Sequence, residues 1–348
     1  MKVHSLLISP GILATVAEIE EFRGTWRALG QLAAERLNLL KKVATIESIG
    51  SSTRIEGSKL TDSEVEKLLS ILSTHSSSSR DEQEVIGYSE VMDLIFQNYD
   101  LITISENYIK QLHGQLLKHS DKDSWHKGEY KKSANHVEAF DASGNSLGIV
   151  FETSSPFETP LRMQQLVDWA NQTLSEKSLH PLLVAAIFIV EFLAIHPFQD
   201  GNGRLSRVLT TFILLRSGYA YIPYSSLEAI IEANKDRYYL ALRQTQSTLS
   251  HTDPDWQPWI SFFLQSLKKQ KDRLQVKMDR EKMLAANLPE LALQITELVK
   301  STGRITIKEL VSLTKGNRNT IKKHLELLVN NNHIVKNGEG KGSWYSKI

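Results

Sequence analysis

The most apolar stretch of the sequence, residues 180–195, is the feature that most constrains the fold. Glu191 carries the only formal charge within it, and the other side chains are almost all aliphatic or aromatic. A transmembrane helix needs about 20 consecutive apolar residues, so this segment is too short to span a bilayer. Pro181 suits the first turn of a helix. We therefore predict a central helix that is buried inside the protein.

Helical periodicity also covers most of the chain before residue 290. Apolar residues recur every three or four positions from Val16 to about Ile55, and Thr61 with Glu64 forms a capping box for the next helix. Further helices are predicted over residues 82–98, 104–117, 160–174, 207–215, 227–245 and 256–284.

One segment, residues 121–157, departs from this periodicity. Its apolar pieces 136–140 and 147–151 flank the turn-forming residues 141–145, a pattern typical of a β-hairpin. The sequence therefore predicts a mainly α fold with one hairpin.

The composition limits the class of protein. A chain of 348 residues exceeds one typical domain, so we expect a main domain and at least one smaller one. It contains no cysteine, which excludes disulfides, a thiol nucleophile and a cysteine-ligated metal. The apolar run at residues 3–8 is too short for a signal peptide. We predict a cytoplasmic protein with no membrane partner.

The last sixty residues differ in charge from the rest of the chain. Residues 289–348 carry ten basic and five acidic side chains, a net charge of +5, which leaves −4 for the remainder. Their pattern predicts three helices and then short strands at 333–336 and 343–346, the layout of a winged helix. Such modules bind DNA or dock on proteins, and both remain open. The basic residues placed to contact DNA phosphates are Arg318, Lys322 and Lys323 near the recognition helix and Lys341 on the wing.

Directly after the apolar helix comes the stretch with the most chemistry, His-Pro-Phe-Gln-Asp-Gly-Asn-Gly-Arg-Leu-Ser-Arg at 196–207. The glycines at 201 and 203 allow close backbone approach, and a helix that begins near 204 directs free N–H groups at one point. Arg204 and Arg207 share a helix face and can hold phosphates, while Asp200 can hold Mg²⁺. His196 can serve as a general base.

Two simpler interpretations of this stretch exist. It could be a helix end and a turn, although that leaves its concentration of charged groups unexplained. A calcium loop starting at Asp200 needs an oxygen ligand at the fifth place and glycine at the sixth, where Arg204 and Leu205 stand. The calcium interpretation fails, and a polyphosphate site beside a base is favoured.

Residues 196–207 match every fixed position of the Fic family motif, HxFx[D/E]GNGRxxR, and the chain resembles that family over roughly residues 6–267. The resemblance implies a Fic-type helical core and transfer of AMP from Mg·ATP to a Ser, Thr or Tyr hydroxyl of a protein. It further implies that His196 is the base and Asp200 the magnesium ligand. The ATP-binding residues that it implies are Gly201, Asn202, Gly203, Arg204 and Arg207, with Asn202 in contact with a phosphate.

Other segments resemble Fic elements less closely. The hairpin around residues 141–145 resembles the flap that aligns a target by strand pairing. Gly128-Glu-Tyr-Lys131 resembles a GxYR element with lysine in place of arginine, which puts the contact of that arginine in doubt. Tyr238 and Tyr239 resemble the segment that lines the nucleotide base; the alternative is a helix that buries two tyrosines.

A second motif lies upstream, where Ser52, Glu56 and Gly57 fit the family's inhibitory pattern [S/T]xxxE[G/N]. A carboxylate in the last turn of a helix opposes the helix dipole and favours a nearby cation. The resemblance implies that Glu56 pairs with Arg207 and blocks the γ-phosphate position. Without the catalytic motif, an exposed glutamate before a glycine cap would be the simpler interpretation.

The sequence therefore predicts four regions. They are an N-terminal helical region with the inhibitory motif at 1–100, a Fic core at 101–270, a connecting helix at 271–288 and a winged helix at 289–348. The family also makes a homodimer plausible. Two alternatives remain, a DNA-binding regulator whose Fic site senses nucleotide and the same site transferring another phosphate-containing group.

Overall fold

A computed structural model describes residues 2–28, 34–71, 79–140, 146–286 and 289–347. The fold is mainly helical, with a two-stranded and a three-stranded antiparallel sheet among the described residues, which confirms the predicted fold class. The chain divides into two compact units, Met1–Leu274 and Gln275–Ile348. The N-terminal helices thus share one unit with residues 101–270.

The first unit is built from helices with one hairpin inserted. Its elements are α1 (Pro10–Ala28), α2 (Ala34–Ile55), α3 (Asp62–Ser70), α4 (Arg80–Asn98), α5 (Glu106–Leu116), β1 (Val137–Phe140), β2 (Ser146–Phe151), α6 (Thr159–Glu176), α7 (Pro181–Ile195), α8 (Asn202–Arg216), α9 (Glu228–Glu232), α10 (Lys235–Gln246) and α11 (Gln257–Ala286). Helix α11 continues beyond residue 274 into the second unit, and residues 287 and 288 of the predicted connecting helix lie outside the described residues.

Helix α7 is the centre of the first unit. Every residue from Leu182 to Ile195 is buried, and α6 and α8 pack against it. Its start is fixed by His180, whose Nδ1 accepts a hydrogen bond from the Leu182 N–H at 3.3 Å, followed by Pro181 at the first helical position. The prediction of a buried central helix is confirmed.

Helix α2 carries the predicted inhibitory motif and belongs to the same core. Its side chains Ile49, Ser52 and Ile55 are buried, and it packs against α4 and α9. The helix ends in a Schellman motif, in which the Ser58 N–H bonds the Thr53 carbonyl and the Gly57 N–H bonds the Arg54 carbonyl. Gly57 takes the left-handed conformation, φ +106°, that this ending requires.

The predicted hairpin is present as β1 paired antiparallel with β2. Val137 lies opposite Phe151, and Phe140 lies opposite Ser146. The predicted turn, residues 141–145, lies outside the described residues.

The second unit follows the predicted order of elements, with one strand that the sequence did not indicate. It contains α12 (Glu290–Thr302), β3 (Arg304–Thr306), α13 (Ile307–Thr314), α14 (Arg318–Asn330), β4 (Val335–Asn337) and β5 (Trp344–Ser346). The unpredicted β3 pairs with β5, and β5 pairs with β4. A separate apolar core, which includes Ile295, Ile321 and Tyr345, holds these elements together.

None of the helices in the described part of the chain is both long and apolar enough to cross a membrane.

Candidate active site

The loop between α7 and α8 is braced by the side chain of Asn202. Its Oδ1 accepts a hydrogen bond from the Phe198 N–H at 2.9 Å, and its Nδ2 donates to the Phe198 carbonyl at 2.7 Å. Gly201 adopts φ +79° just before α8, which leaves the N–H groups of the first turn to face an anion. The Asn202 side chain therefore shapes the loop, and the phosphate contact that the resemblance implies for this residue stays a prediction.

His196 ends α7 in the left-handed conformation, with φ 52°. Its Nδ1 lies 3.3 Å from the Leu193 carbonyl, which can only accept a hydrogen bond, so Nδ1 carries the proton and Nε2 the lone pair. Burial, together with the charge of Lys131, lowers the pKa of His196 to about 4. The imidazole is therefore neutral at physiological pH, as a general base must be.

Lys131, which the resemblance places where the family has an arginine, anchors the base of the hairpin. Its Nζ donates to Asn135 Oδ1 at 2.7 Å, to Thr153 Oγ1 at 2.9 Å and to the Ile195 carbonyl at 3.0 Å. The residue is 3% exposed, and burial lowers its pKa to about 8. Lysine therefore replaces the arginine with a contact of its own, which ties the hairpin to the end of α7.

Asn135 extends this anchor to the catalytic loop. Its Nδ2 donates to the carbonyls of His196 at 3.2 Å and Phe198 at 2.6 Å. One hydrogen-bonded network thus holds both the foot of the hairpin and His196, the candidate general base.

Asp200 lies among positive charges. Its Oδ2 accepts from Lys122 Nζ at 2.9 Å, while its Oδ1 accepts from the Gly201 N–H at 2.5 Å and lies 3.6 Å from Arg204 Nη2. Burial raises the pKa of Asp200, but Lys122 and Arg204 outweigh it and lower the pKa to about 2. Asp200 is therefore ionised, as a metal ligand must be.

His113 supports the same loop from α5. Its Nε2 donates to the Asp200 carbonyl at 3.0 Å, its Nδ1 accepts from the Gly128 N–H at 3.0 Å, and its ring stacks on Phe198 at 3.8 Å. Burial lowers the pKa of His113 to about 4. This neutral, fully buried ring fixes the position of Asp200.

Arg204 is 2% exposed and lies between two carboxylates. Its Nη1 is 3.4 Å from Glu84 Oε2, a residue of α4 that the sequence analysis did not single out. Its Nε is buried without a hydrogen-bond partner among the described residues. A buried, unsatisfied N–H on a cation is a ready partner for an anion that enters the site.

Arg207 and Glu56 form the ion pair that the family resemblance implies. Arg207 Nη2 lies 2.7 Å from Glu56 Oε1, and the same guanidinium bonds Ser52 through its side chain at 2.8 Å and its carbonyl at 3.0 Å. The side chain of Arg207 is 3% exposed and that of Glu56 is 31% exposed. Arg207 thus lies buried below the site, and the partly exposed Glu56 side chain covers Arg207.

The Glu56 carboxylate also lies against the start of α8. A β-carbon added to Gly203 would overlap Glu56 Oε1, so a larger residue at this position would displace the carboxylate from where it lies. Burial raises the pKa of Glu56, but the charges of Arg207 and then Arg204 outweigh it and lower the pKa. A carboxylate on a helix N-terminus and between two arginines occupies an anion-binding position.

The end of α2 is held from outside as well. Lys235 Nζ donates to the Ile55 carbonyl at 2.6 Å, and Arg54 Nε bonds Glu232 Oε1 at 2.7 Å. These contacts fix the backbone from which Glu56 projects.

The two predicted tyrosines have different environments. Tyr238 is 3% exposed and packs against Trp259 with ring centroids 5.8 Å apart, so it belongs to the core. Tyr239 is 39% exposed. Tyr238 is therefore covered, whereas Tyr239 presents exposed surface, and the expectation that both line a nucleotide base stays a prediction.

The donors suit a metal that arrives with phosphates. No group of three or more His, Cys, Asp or Glu side chains within the described ranges is arranged to hold a metal by itself. Mg²⁺ usually binds one or two carboxylates and completes its shell with phosphate oxygens and water. The single ionised carboxylate of Asp200, beside the anion site, fits that mode.

Comparison with known proteins matches this site to one family. Residues 103–214 match the Fic/DOC family. The protein adenylyltransferase Fic of Drosophila willistoni is 28% identical over 261 residues, which cover 74% of this chain and 47% of the fly protein. The chain thus spans about half the length of the curated relatives it matches.

Two solved structures share the fold. A Fic domain-containing signalling protein from Bacteroides thetaiotaomicron is 26% identical, with a TM-score of 0.60 over 73% of this chain and 94% of that one. A Fic family protein from Desulfovibrio desulfuricans is 23% identical, with a TM-score of 0.66 over 99% of this chain and 97% of that one.

Proposed function

We propose, from the premise that this chain carries a Fic/DOC domain, that it is a protein adenylyltransferase restrained by its own Glu56. The observation that carries the proposal is the position of the Glu56 carboxylate, which lies on Arg207 and on the start of α8. A site that holds a carboxylate in this way is built to bind a more highly charged anion. His196, which lies beside this site, is the proposed general base for a reaction of the bound anion.

His196 supplies the base in this proposal. Its Nε2 takes the proton of a Ser, Thr or Tyr hydroxyl as the oxygen forms a bond to the α-phosphorus of ATP and the bond to the pyrophosphate oxygen breaks. The pKa of about 4 describes the site without nucleotide. The negative charge of bound phosphates raises that pKa towards neutrality, which strengthens the base when substrate is present.

The phosphates are held by charge and by backbone. Arg207 and Arg204 stabilise the outer phosphates, and the N–H groups at Gly201, Asn202 and Gly203 face the phosphate oxygens. A magnesium ion on Asp200 would neutralise charge that develops on the leaving pyrophosphate. Tyr239 is the candidate for contact with the nucleotide base of ATP.

Autoinhibition follows from competition for Arg207. While Glu56 is paired with it, a γ-phosphate meets a carboxylate instead of a guanidinium. Ser52 keeps Arg207 in place whether or not Glu56 is paired, because its two hydrogen bonds to Arg207 do not involve the carboxylate. We propose that relief of inhibition requires the Glu56 side chain to leave the site.

The target is proposed to be a protein, which could include this chain itself. A target segment would pair with the hairpin β1–β2, which is anchored beside His196 through Lys131 and Asn135. A homodimer and a cytoplasmic location remain predictions from the sequence.

The test of the function is transfer of label from α-labelled ATP into protein. The Glu56→Gly protein is expected to incorporate label, and Glu56→Gly with His196→Ala is expected to bind nucleotide without incorporation. Label from γ-labelled ATP instead would favour transfer of another phosphate-containing group. Nucleotide binding with no transfer by Glu56→Gly would favour a nucleotide sensor.

A second candidate function, DNA binding, rests on the second unit. The side chains of Arg318, Lys322 and Lys323 are all exposed on α14, the helix in the position of a recognition helix. The side chain of the predicted wing residue Lys341 lies outside the described part of the structure.

Phosphate contacts release counterions, so binding should weaken steeply with salt. The double variant Lys322→Glu, Lys323→Glu is expected to abolish the salt-sensitive mobility shift of a DNA duplex in electrophoresis. If the wild-type protein shifts no duplex at low salt, the unit is a protein-docking module instead.

A further inference from the structure

We propose that the Lys122 ammonium group pairs with the Asp200 carboxylate while no divalent cation is bound there. When the cation binds, the ammonium group moves and pairs with Asp123 instead. The inference rests on the proposed function, because it assigns a role to a residue beside the same nucleotide site. Lys122 belongs to the segment between α5 and the hairpin, outside the 196–207 motif.

Both carboxylate oxygens of Asp200 are already occupied. Oδ1 accepts from the Gly201 N–H, whereas Oδ2 is bonded by Lys122 Nζ at 2.9 Å. A divalent cation on Oδ2 would be repelled by an ammonium group at that distance. Metal binding to Asp200 therefore requires the Lys122 side chain to move, while the contacts of Oδ1 can remain.

Lys122 has a second carboxylate to receive it. Its Nζ lies 4.0 Å from Asp123 Oδ1, and its side chain is 51% exposed. Asp123 is itself fixed, because Ser120 donates to its Oδ2 at 2.6 Å and His126 lies 3.1 Å from its Oδ1. A small movement exchanges one carboxylate for the other, so the ammonium keeps a partner in both states.

Lys122 then complements Glu56. Glu56 places a negative charge where the phosphates bind, and Lys122 places a positive charge where the metal binds. Glu56 thereby neutralises Arg207, and Lys122 neutralises Asp200. Without metal, Lys122 also screens incoming phosphates from the Asp200 carboxylate, so its removal should affect nucleotide binding in opposite directions with and without metal.

The experiment measures binding of α,β-methylene-ATP, which cannot transfer AMP, by calorimetry with the full-length Glu56→Gly protein. Lys122→Met removes the charge and keeps the side-chain length. In Mg²⁺ it is expected to bind the analogue about two- to fivefold more tightly than its parent, and in EDTA about two- to fivefold more weakly, the range for an exposed ion pair.

Lys127→Met is the matched control. Lys127 lies on the same segment and donates to the Lys118 carbonyl, not to Asp200, so its removal should leave the ratio of the two affinities unchanged. In an Asp200→Asn background, Lys122→Met should no longer produce the reversal.

A change of the same sign in both conditions would make Lys122 a simple phosphate ligand and overturn the inference, as would no change in either. If Glu56→Gly binds no analogue in either condition, the proposed function fails and this inference fails with it. Binding without the reversal refutes the Lys122 assignment alone.

Discussion

Replacing Glu56 is expected to make the protein less stable and a better nucleotide binder. Its hydrogen bond to Arg207 is short, 2.7 Å, and joins two charged groups, one of them 3% exposed. A hydrogen bond of this kind contributes about 1.5–3 kcal/mol. The nucleotide must overcome the same free energy to displace Glu56, so its removal should tighten ATP binding about tenfold to a hundredfold.

The stability should change in the opposite direction. Without Glu56, Arg207 keeps its two hydrogen bonds to Ser52 but loses its charged partner inside the protein. A loss of about 1.5–3 kcal/mol corresponds to a fall in Tm of roughly 3–5 °C for a unit of this size. ATP should restore much of the loss, because it supplies a new anion to Arg207.

Two variants separate charge from volume. Glu56→Gln keeps the shape and removes the charge, whereas Glu56→Gly also clears the space against Gly203. The dissociation constant of ATP, measured by calorimetry beside thermal unfolding, should fall from wild type to Gln to Gly. Equal affinity of wild type and Gln would show that charge is not the restraint, and equal affinity of all three would refute the placement of Glu56 in the nucleotide site.

Three further outcomes are expected. In the Glu56→Gly protein, His196→Ala should lower the transfer rate, measured by label incorporation, by about 10²–10⁴-fold. The nucleotide affinity, measured by calorimetry, should change little. Residual transfer near the rate of Glu56→Gly would exclude His196 as the general base. Lys131→Met should free the hairpin base, lowering transfer about tenfold or more and increasing proteolysis at residues 137–151, whereas Lys131→Arg should retain most activity. His113 is neutral when folded, with a pKa of about 4, but titrates near 6.5 when unfolded, so the unfolded state binds more protons and stability falls as pH drops through this window. The contribution of His113 to this loss should reach about 2 kcal/mol by pH 5 in denaturant titrations, and His113→Gln should reduce the loss by that amount; an unchanged slope would contradict the assignment.

Local patterns in the sequence predicted the elements that depend on local physics. The apolar run at 181–195 has no polar face, so it had to be buried, and the capping box of Thr61 and Glu64 forms as predicted. The hairpin followed from its apolar strands and turn residues. The pairing of Glu56 with Arg207 came from the family resemblance, supported by the poor fit of a carboxylate with the end of a helix.

Contacts between distant segments could not be predicted in this way. Glu84 forms an ion pair with Arg204, and Lys122 forms one with Asp200. Glu84 and Lys122 lie in segments whose sequence has no spacing pattern that links them to residues 196–207. His113 likewise gave no signal, because the loop that it supports is far from it in sequence.

The two tyrosines show a related limit. Tyr238 and Tyr239 are adjacent and chemically alike, and only the packing of α10 against the core decides which of them is covered.

Adenylyl transfer can be tested by the intact mass of the full-length Glu56→Gly protein after incubation with Mg·ATP and candidate target protein. We expect a protein in the mixture to gain the mass of one adenylyl group on a hydroxyl side chain, and we expect the addition of His196→Ala to remove the gain. A phosphoryl mass instead, or an adenylyl gain that persists without His196, would contradict this expectation.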